Sequence, residues 1–103
     1  MSTWKTEEYN KWIFLGCPRD DTVRKLSLDS NQLTSIPPDI GQLRNLTHLY
    51  LSCNQLTTIP PEIGQLQNLT KLSLDLNRLT TILPEIGRLK NLTELSLDNN
   101  QLT

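Results

Sequence analysis

The chain has 103 residues, with ten basic against eleven acidic side chains and a net charge of −1; it is one domain at most. The balanced charge gives no electrostatic reason to expect nucleic acid or an anionic membrane as partner. The longest apolar run, Trp12 to Leu15, is far shorter than the roughly 20 residues of a spanning helix, and the N-terminus lacks the basic and then apolar stretch of a secretory signal, so the expectation is a cytoplasmic protein.

Residues 1–22 are read as an N-terminal helical cap. Over residues 3 to 15, Trp4, Tyr9, Trp12, Ile13 and Leu15 fall on one broad half of a helical wheel, interrupted by Lys5 and Glu8. Gly16 is a stop signal, and Pro18 two positions later prevents the helix from resuming. A helix of this composition can also face a partner or a membrane surface, but its mixture of Lys and Glu lacks the basic face that membranes favour.

From Val23 onward the chain repeats itself. Asn31, Asn54, Asn77 and Asn100 are each 23 residues apart, as are Leu26, Leu49, Leu72 and Leu95. Ile40, Ile63 and Ile86 keep the same step, with Gly41, Gly64 and Gly87 beside them. The units are 23–45, 46–68, 69–91 and a partial 92–103. In the second unit, LTHLYLSCN alternates apolar and polar residues as a strand with one buried face does. Leu49 and Leu51 are expected inside, and His48, Tyr50 and Ser52 outside. Asn54 follows where the chain must bend, and its amide can donate and accept to satisfy backbone groups there. Pro60-Pro61-Glu62 suits a return turn or short helix. Ile63 and Leu66 reach back to the core, and Gly64 is expected to supply a tight conformation between them. No single coil buries its own leucines, so neighbours must stack.

The pattern LxxLxLxxNxL followed by IPPEIGxLxNL resembles the leucine-rich repeat family in its 23-residue form, similar to the bacterial and intracellular Ras-group types. The resemblance implies an α/β fold: a short right-handed horseshoe solenoid with a four-stranded parallel sheet on the concave side and turns or short helices on the convex side. Two positions depart from the pattern. Val23 replaces a leucine, and Leu83 replaces the first proline of the pair, which is expected to loosen one convex turn.

No catalytic constellation is legible, and neither a cofactor nor a metal site is expected. His48 is the sole histidine, and there is no phosphate loop and no HExxH. Cys17 and Cys53 lack a CxxC spacing and are expected as free thiols. Asp29, Asp75 and Asp98 share an outer column broken by Ser52 and read as solvated surface. Three N-x-[ST] matches, at Asn45, Asn68 and Asn91, coincide with the repeat itself.

The variable positions are therefore the outer faces of the strands. Tyr50 and His48 stand out from the serines and lysines of the other units, and tyrosine is enriched in binding hot spots. They are the first candidates for contact with a protein or peptide partner, followed by Leu76, Lys71, Lys25, Asp75 and Asp29. After the fourth strand Leu92, Leu95, Leu97 and Leu102 are expected to form an open apolar edge, which a second copy could cover to make a homodimer. Two other readings stand beside that of a non-enzymatic interaction module. The chain is either the recognition segment of a larger enzyme or GTPase, or a structural protein that assembles with itself.

Overall fold

The computed structural model describes residues 3–102; Met1 and Ser2 of the expected cap and Thr103 of the last unit lie outside the described residues. The chain forms β1 (Thr3–Trp4), α1 (Thr6–Phe14), β2 (Lys25–Ser27), β3 (His48–Tyr50), β4 (Lys71–Ser73) and β5 (Glu94–Ser96). The strands make one parallel sheet in the order β1-β2-β3-β4-β5. Three short 3₁₀ helices, Pro38–Gln42, Pro61–Gln65 and Pro84–Arg88, return the chain between β2, β3, β4 and β5. The period of the sequence is the register of the sheet: Lys25, His48, Lys71 and Glu94 are paired in line, then Leu26, Leu49, Leu72 and Leu95, then Ser27, Tyr50, Ser73 and Ser96.

The core is a stack of leucine and isoleucine columns. Leu26, Leu28, Leu43, Leu46, Leu49, Leu51, Leu66, Leu69, Leu72 and Leu74 are fully or almost fully buried, and Ile40 and Ile63 close the stack from the convex side. Burial depends on having a coil on either side. Leu26, Leu49 and Leu72 are 0% exposed, whereas Leu95, in the same column of the last coil, is 38% exposed. Ile36 and Ile59 are buried, and Ile82 is half exposed.

Asparagine ties the coils together. The Asn54 amide donates to the carbonyls of Leu28 and Leu51, both at 3.0 Å, and its Oδ1 accepts from the backbone of Asn31 and Leu33 at 3.0 and 2.9 Å. Asn77 repeats this one coil on, donating to Leu51 and Leu74 and accepting from Leu56. Asn100 does so again with Leu74, Leu97 and Leu79. In the first coil the Asn31 Oδ1 instead accepts from the Thr6 hydroxyl at 2.9 Å, so α1 stands where a preceding coil would. Asn45, Asn68 and Asn91 also bond backward, to Asp21, Asn45 and Gln67, which gives these asparagines a role in the frame.

The cap differs from the expected helix over 3 to 15. Thr3 and Trp4 are a fifth strand, paired with Lys25 and Leu26, and so satisfy an edge that β2 would otherwise leave open. The helix starts after Lys5, whose N–H donates to Glu8 at 2.8 Å. It stops in a Schellman motif, with Gly16 N–H bonded to Ile13 O and Cys17 N–H to Trp12 O, and with Gly16 at φ 87°. Only Tyr9 and Trp12 of the expected face are buried, with Trp4 packed beside them; Ile13 and Leu15 are exposed. The Schellman turn carries Cys17, and not Leu15, against the core. Trp12 donates from Nε1 to Pro18 O at 2.7 Å, and burial pushes the Tyr9 hydroxyl up to about 12, with the Cys17 thiol adding to the shift.

Two expectations for the convex side also change. Leu83 has φ −70° and ψ 141°, against −66° and 146° for Pro60, and the Ile86 N–H still reaches Leu83 O at 3.1 Å, so the turn is not loosened. None of Gly41, Gly64 and Gly87 is needed for a special backbone angle; Gly41 and Gly64 are needed for space, and Gly87 is not. A Cβ on Gly64 would lie 3.2 Å from Glu85 O of the next coil, and one on Gly41 3.3 Å from Glu62 O, while one on Gly87 would meet nothing within 4 Å.

Gly64→Ala is expected to lower stability by about 1 kcal/mol, and Gly87→Ala to change it by less than about 0.5 kcal/mol, in urea unfolding followed by circular dichroism. In the same assay Asn77→Ala is expected to cost about 3 kcal/mol, because it strips partners from several buried backbone groups at once.

Candidate functional site

Strand residues alternate between the core and the concave face, so β2 to β5 carry Lys25, Ser27, His48, Tyr50, Lys71, Ser73, Glu94 and Ser96 outward. Parallel register sets His48 beside Lys71 and Tyr50 beside Ser73. The His48 and Tyr50 rings are 6.0 Å apart between centroids, inclined at 37°. Lys71 Nζ lies 5.7 Å from the Tyr50 centroid, within the range of a cation–π contact. The Thr47 hydroxyl, itself bonded to Arg24 O, is 2.9 Å from His48 Nδ1 and orients that ring. Below Tyr50 the hydroxyls of Ser52 and Ser73 are hydrogen bonded across the coils.

Three of the sequence candidates, Tyr50, His48 and Lys71, thus form one cluster. Sequence reasoning left out a fourth member, Glu94, whose carboxylate is 3.1 Å from Lys71 Nζ. Its signal was present, as an acidic residue one period after a lysine in the same outward column. The hydrogen bond and charge of Glu94 raise the Lys71 pKa, with Tyr50 adding to the shift, so the ammonium is held in its charged form. The surface is a half-exposed aromatic pair with one cation and one anion on its flank. It offers flat apolar area and hydrogen bonding, and the Thr47 hydroxyl beside the imidazole gives its proton to Arg24 O.

Lys25 is exposed at the first coil's place in the same column. Asp29 and Asp75 are less available than solvated surface. Asp29 Oδ1 accepts the Ser52 N–H at 2.7 Å and Asp75 Oδ1 the Asp98 N–H at 2.8 Å, so both carboxylates join one coil to the next. Leu76 lies just past β4, 49% exposed, in a left-handed conformation at φ 58°. The whole column shares that conformation: Ser30, Cys53 and Asn99 have φ between 59° and 60°. The bend of the frame imposes it, and Leu76 is the bulkiest residue to accept it. At the last coil, Leu92 and Leu97 are partly buried against the core, and Leu95 and Leu102 are exposed. Among the described residues, no group of three or more His, Cys, Asp or Glu side chains converges as a metal site would.

Comparison with known proteins follows the frame. The Leucine rich repeat family pattern matches residues 21–79 and again 44–102. Among solved structures, a leucine-rich repeat protein of Leptospira interrogans is 52% identical with a TM-score of 0.78, over 80% of this chain and 21% of its own. The leucine-rich repeat domain of APL1B is 27% identical with a TM-score of 0.78, over 97% of this chain and 29% of its own. A plant peptide hormone receptor, RGFR1, solved in complex with RGF2, is 32% identical with a TM-score of 0.72, over 80% of this chain and 14% of its own. The chain thus spans about a fifth of the length of the Leptospira protein. No curated protein matches the chain.

Leu76→Asn should relieve the left-handed strain and raise stability by about 0.5–1 kcal/mol. Thermal unfolding checks this; a fall in the midpoint would show that the Leu76 side chain packs more than it strains.

Proposed function

The chain belongs to the leucine-rich repeat family, and from that premise we propose that it is a non-enzymatic binding module that takes a protein or peptide segment on the concave face around Tyr50. The observation that carries this reading is the break in one column. Ser27, Ser73 and Ser96 line the sheet with small hydroxyls, and Tyr50 alone puts a ring there, with His48 against it and Lys71 over it. A tyrosine held by neighbours on strands has little conformational freedom left to lose, which is the property of a binding anchor.

The described strands accommodate a short segment of a partner. Five strands spaced about 4.8 Å apart span roughly 19 Å, and a strand of three residues adds roughly 10 Å in the other direction. That platform is well below the roughly 800 Å² per partner of a standard interface. An extended peptide laid across the strands fits it, with an apolar or aromatic side chain on Tyr50 and an acidic group near Lys71. The plant peptide hormone receptor, similar in fold over most of this chain, supports the same class of ligand by analogy.

Peptides selected for binding to the intact chain are expected to lose about 2 kcal/mol of affinity, roughly thirtyfold, on Tyr50→Ala. His48→Ala should weaken them less, and Thr57→Ala, exposed away from the cluster, should leave them unchanged. Fluorescence titration of each variant reads this, with circular dichroism showing that the fold is kept. Equal affinity for the intact chain and the Tyr50→Ala variant would overturn the concave-face reading.

A further inference from the structure

His48 is the sole histidine of the chain, and its two ring nitrogens meet different surroundings. Nδ1 lies 2.9 Å from the Thr47 hydroxyl oxygen. A hydroxyl has one proton to give, and that of Thr47 goes to Arg24 O of the coil before, at 3.1 Å. The ring does not dictate that choice. Thr70 and Thr93 hold the same place in the next two coils, beside a lysine and a glutamate. Their hydroxyls donate backward in the same way, to Thr47 O at 3.0 Å and to Thr70 O at 3.1 Å. The bond belongs to the repeat frame, so the Thr47 oxygen is left to accept from the ring, and Nδ1 carries a proton.

In a neutral imidazole one nitrogen is the donor and the other the acceptor. A proton on Nδ1 therefore leaves a lone pair on Nε2. Among the described residues Nε2 has no hydrogen-bond partner, and no buried side-chain nitrogen lacks one. Nε2 is thus open to solvent on the concave face, where the ring stands against Tyr50.

We propose that Thr47 is a positioning residue that fixes the neutral His48 ring in its Nδ1–H form, so that Nε2 accepts a hydrogen bond from an uncharged N–H of the segment bound around Tyr50. The acceptor role rests on the proposed concave-face binding; the Nδ1–H form does not. A cationic donor is disfavoured, because Lys25 and Lys71 stand in register on either side of His48, and Lys25 has no ion-pair partner among the described residues. A backbone amide is an uncharged donor, and an extended peptide carries one at every residue except proline. A ring in the Nε2–H form would present a donor instead and select an acceptor, so the Thr47 hydroxyl decides which polarity of partner fits.

NMR of the ring nitrogens of the isotope-labelled full chain reads the tautomer in alkaline solution, where imidazole is neutral. The signal of the protonated nitrogen, assigned by its couplings to the carbon-bound ring protons, should belong to Nδ1 in the intact chain and in Thr47→Ser, which keeps a hydroxyl. Thr47→Val should move it to Nε2, the form an unconstrained imidazole favours. In that variant Arg24 O keeps the N–H groups of residues 47 and 48, and circular dichroism checks the fold. Thr93→Val removes the same junction bond from a coil without a ring and should leave the signals unchanged. A proton on Nε2 in the intact chain, signals indifferent to Thr47→Val, or an equal response to Thr93→Val would each overturn the positioning role.

Peptides selected on the intact chain then test the recognition. Thr47→Val should weaken them about tenfold, and Thr47→Ser and Thr93→Val by less than about twofold. N-methylation of one backbone amide of the peptide should cost about tenfold on the intact chain and less than about twofold on Thr47→Val. Peptides that need Tyr50 yet bind Thr47→Val as tightly as the intact chain would overturn the acceptor role and leave the concave-face reading standing. Peptides indifferent to Tyr50→Ala would overturn both, while the spectrum would still decide the Nδ1–H form.

Discussion

The carboxamide of Asn54 serves five backbone groups at once. It donates to the Leu51 and, more weakly, the Ser52 carbonyl of its own coil and to one carbonyl in the coil before, and accepts two N–H groups from the turn of that earlier coil. A chain that bends sharply inside a packed structure leaves backbone groups with neither a sheet partner nor water. One buried amide per coil supplies the missing partners, and it reaches across the junction to do so. The same arrangement at Asn77 and Asn100 makes the coils stack at a fixed register, and the strands, leucine columns and outward faces follow from that register.

Because each coil is completed by its neighbour, position along the stack decides what an identical residue does. Leu72 is sealed and Leu95 is not, Ile59 is buried and Ile82 half exposed, and Gly64 is pressed by the next coil while Gly87 faces open space. At the other end the cap substitutes for a coil piece by piece. Trp4 stands next to Leu26 in the sheet, the Thr6 hydroxyl takes the place of a backbone donor on Asn31, and Tyr9 and Trp12 close the core. This is the behaviour of a nearly one-dimensional structure held by nearest-neighbour interfaces. It also explains why a short array keeps a rigid concave face in its middle, where His48, Tyr50 and Lys71 have a paired strand on either side.

Much of this was legible in the repeat. The 23-residue step set which leucines face inward, which asparagines bend the chain, and which strand residues point outward. Tyr50 and His48 were visible as exceptions because the other coils supply their own controls. What stayed hidden involved contact between coils. The Asp29 and Asp75 carboxylates looked like solvated surface because nothing in a column of side chains shows that the next coil turns an N–H toward them. The Lys71–Glu94 pair needed both register and rotamer. In the cap, Trp4 fits a helical face and a strand equally well, and only the open edge of β2 decides for the strand.

The sequence by itself determined the repeat, the α/β solenoid and the inward and outward sets of residues, since periodicity is a property of the chain and alternation is a property of any strand. Tertiary structure alone decided which glycines are crowded, which leucines remain exposed, where α1 begins and ends, and which charges meet. Those depend on the distance between neighbouring coils, and that distance is not written in any one unit.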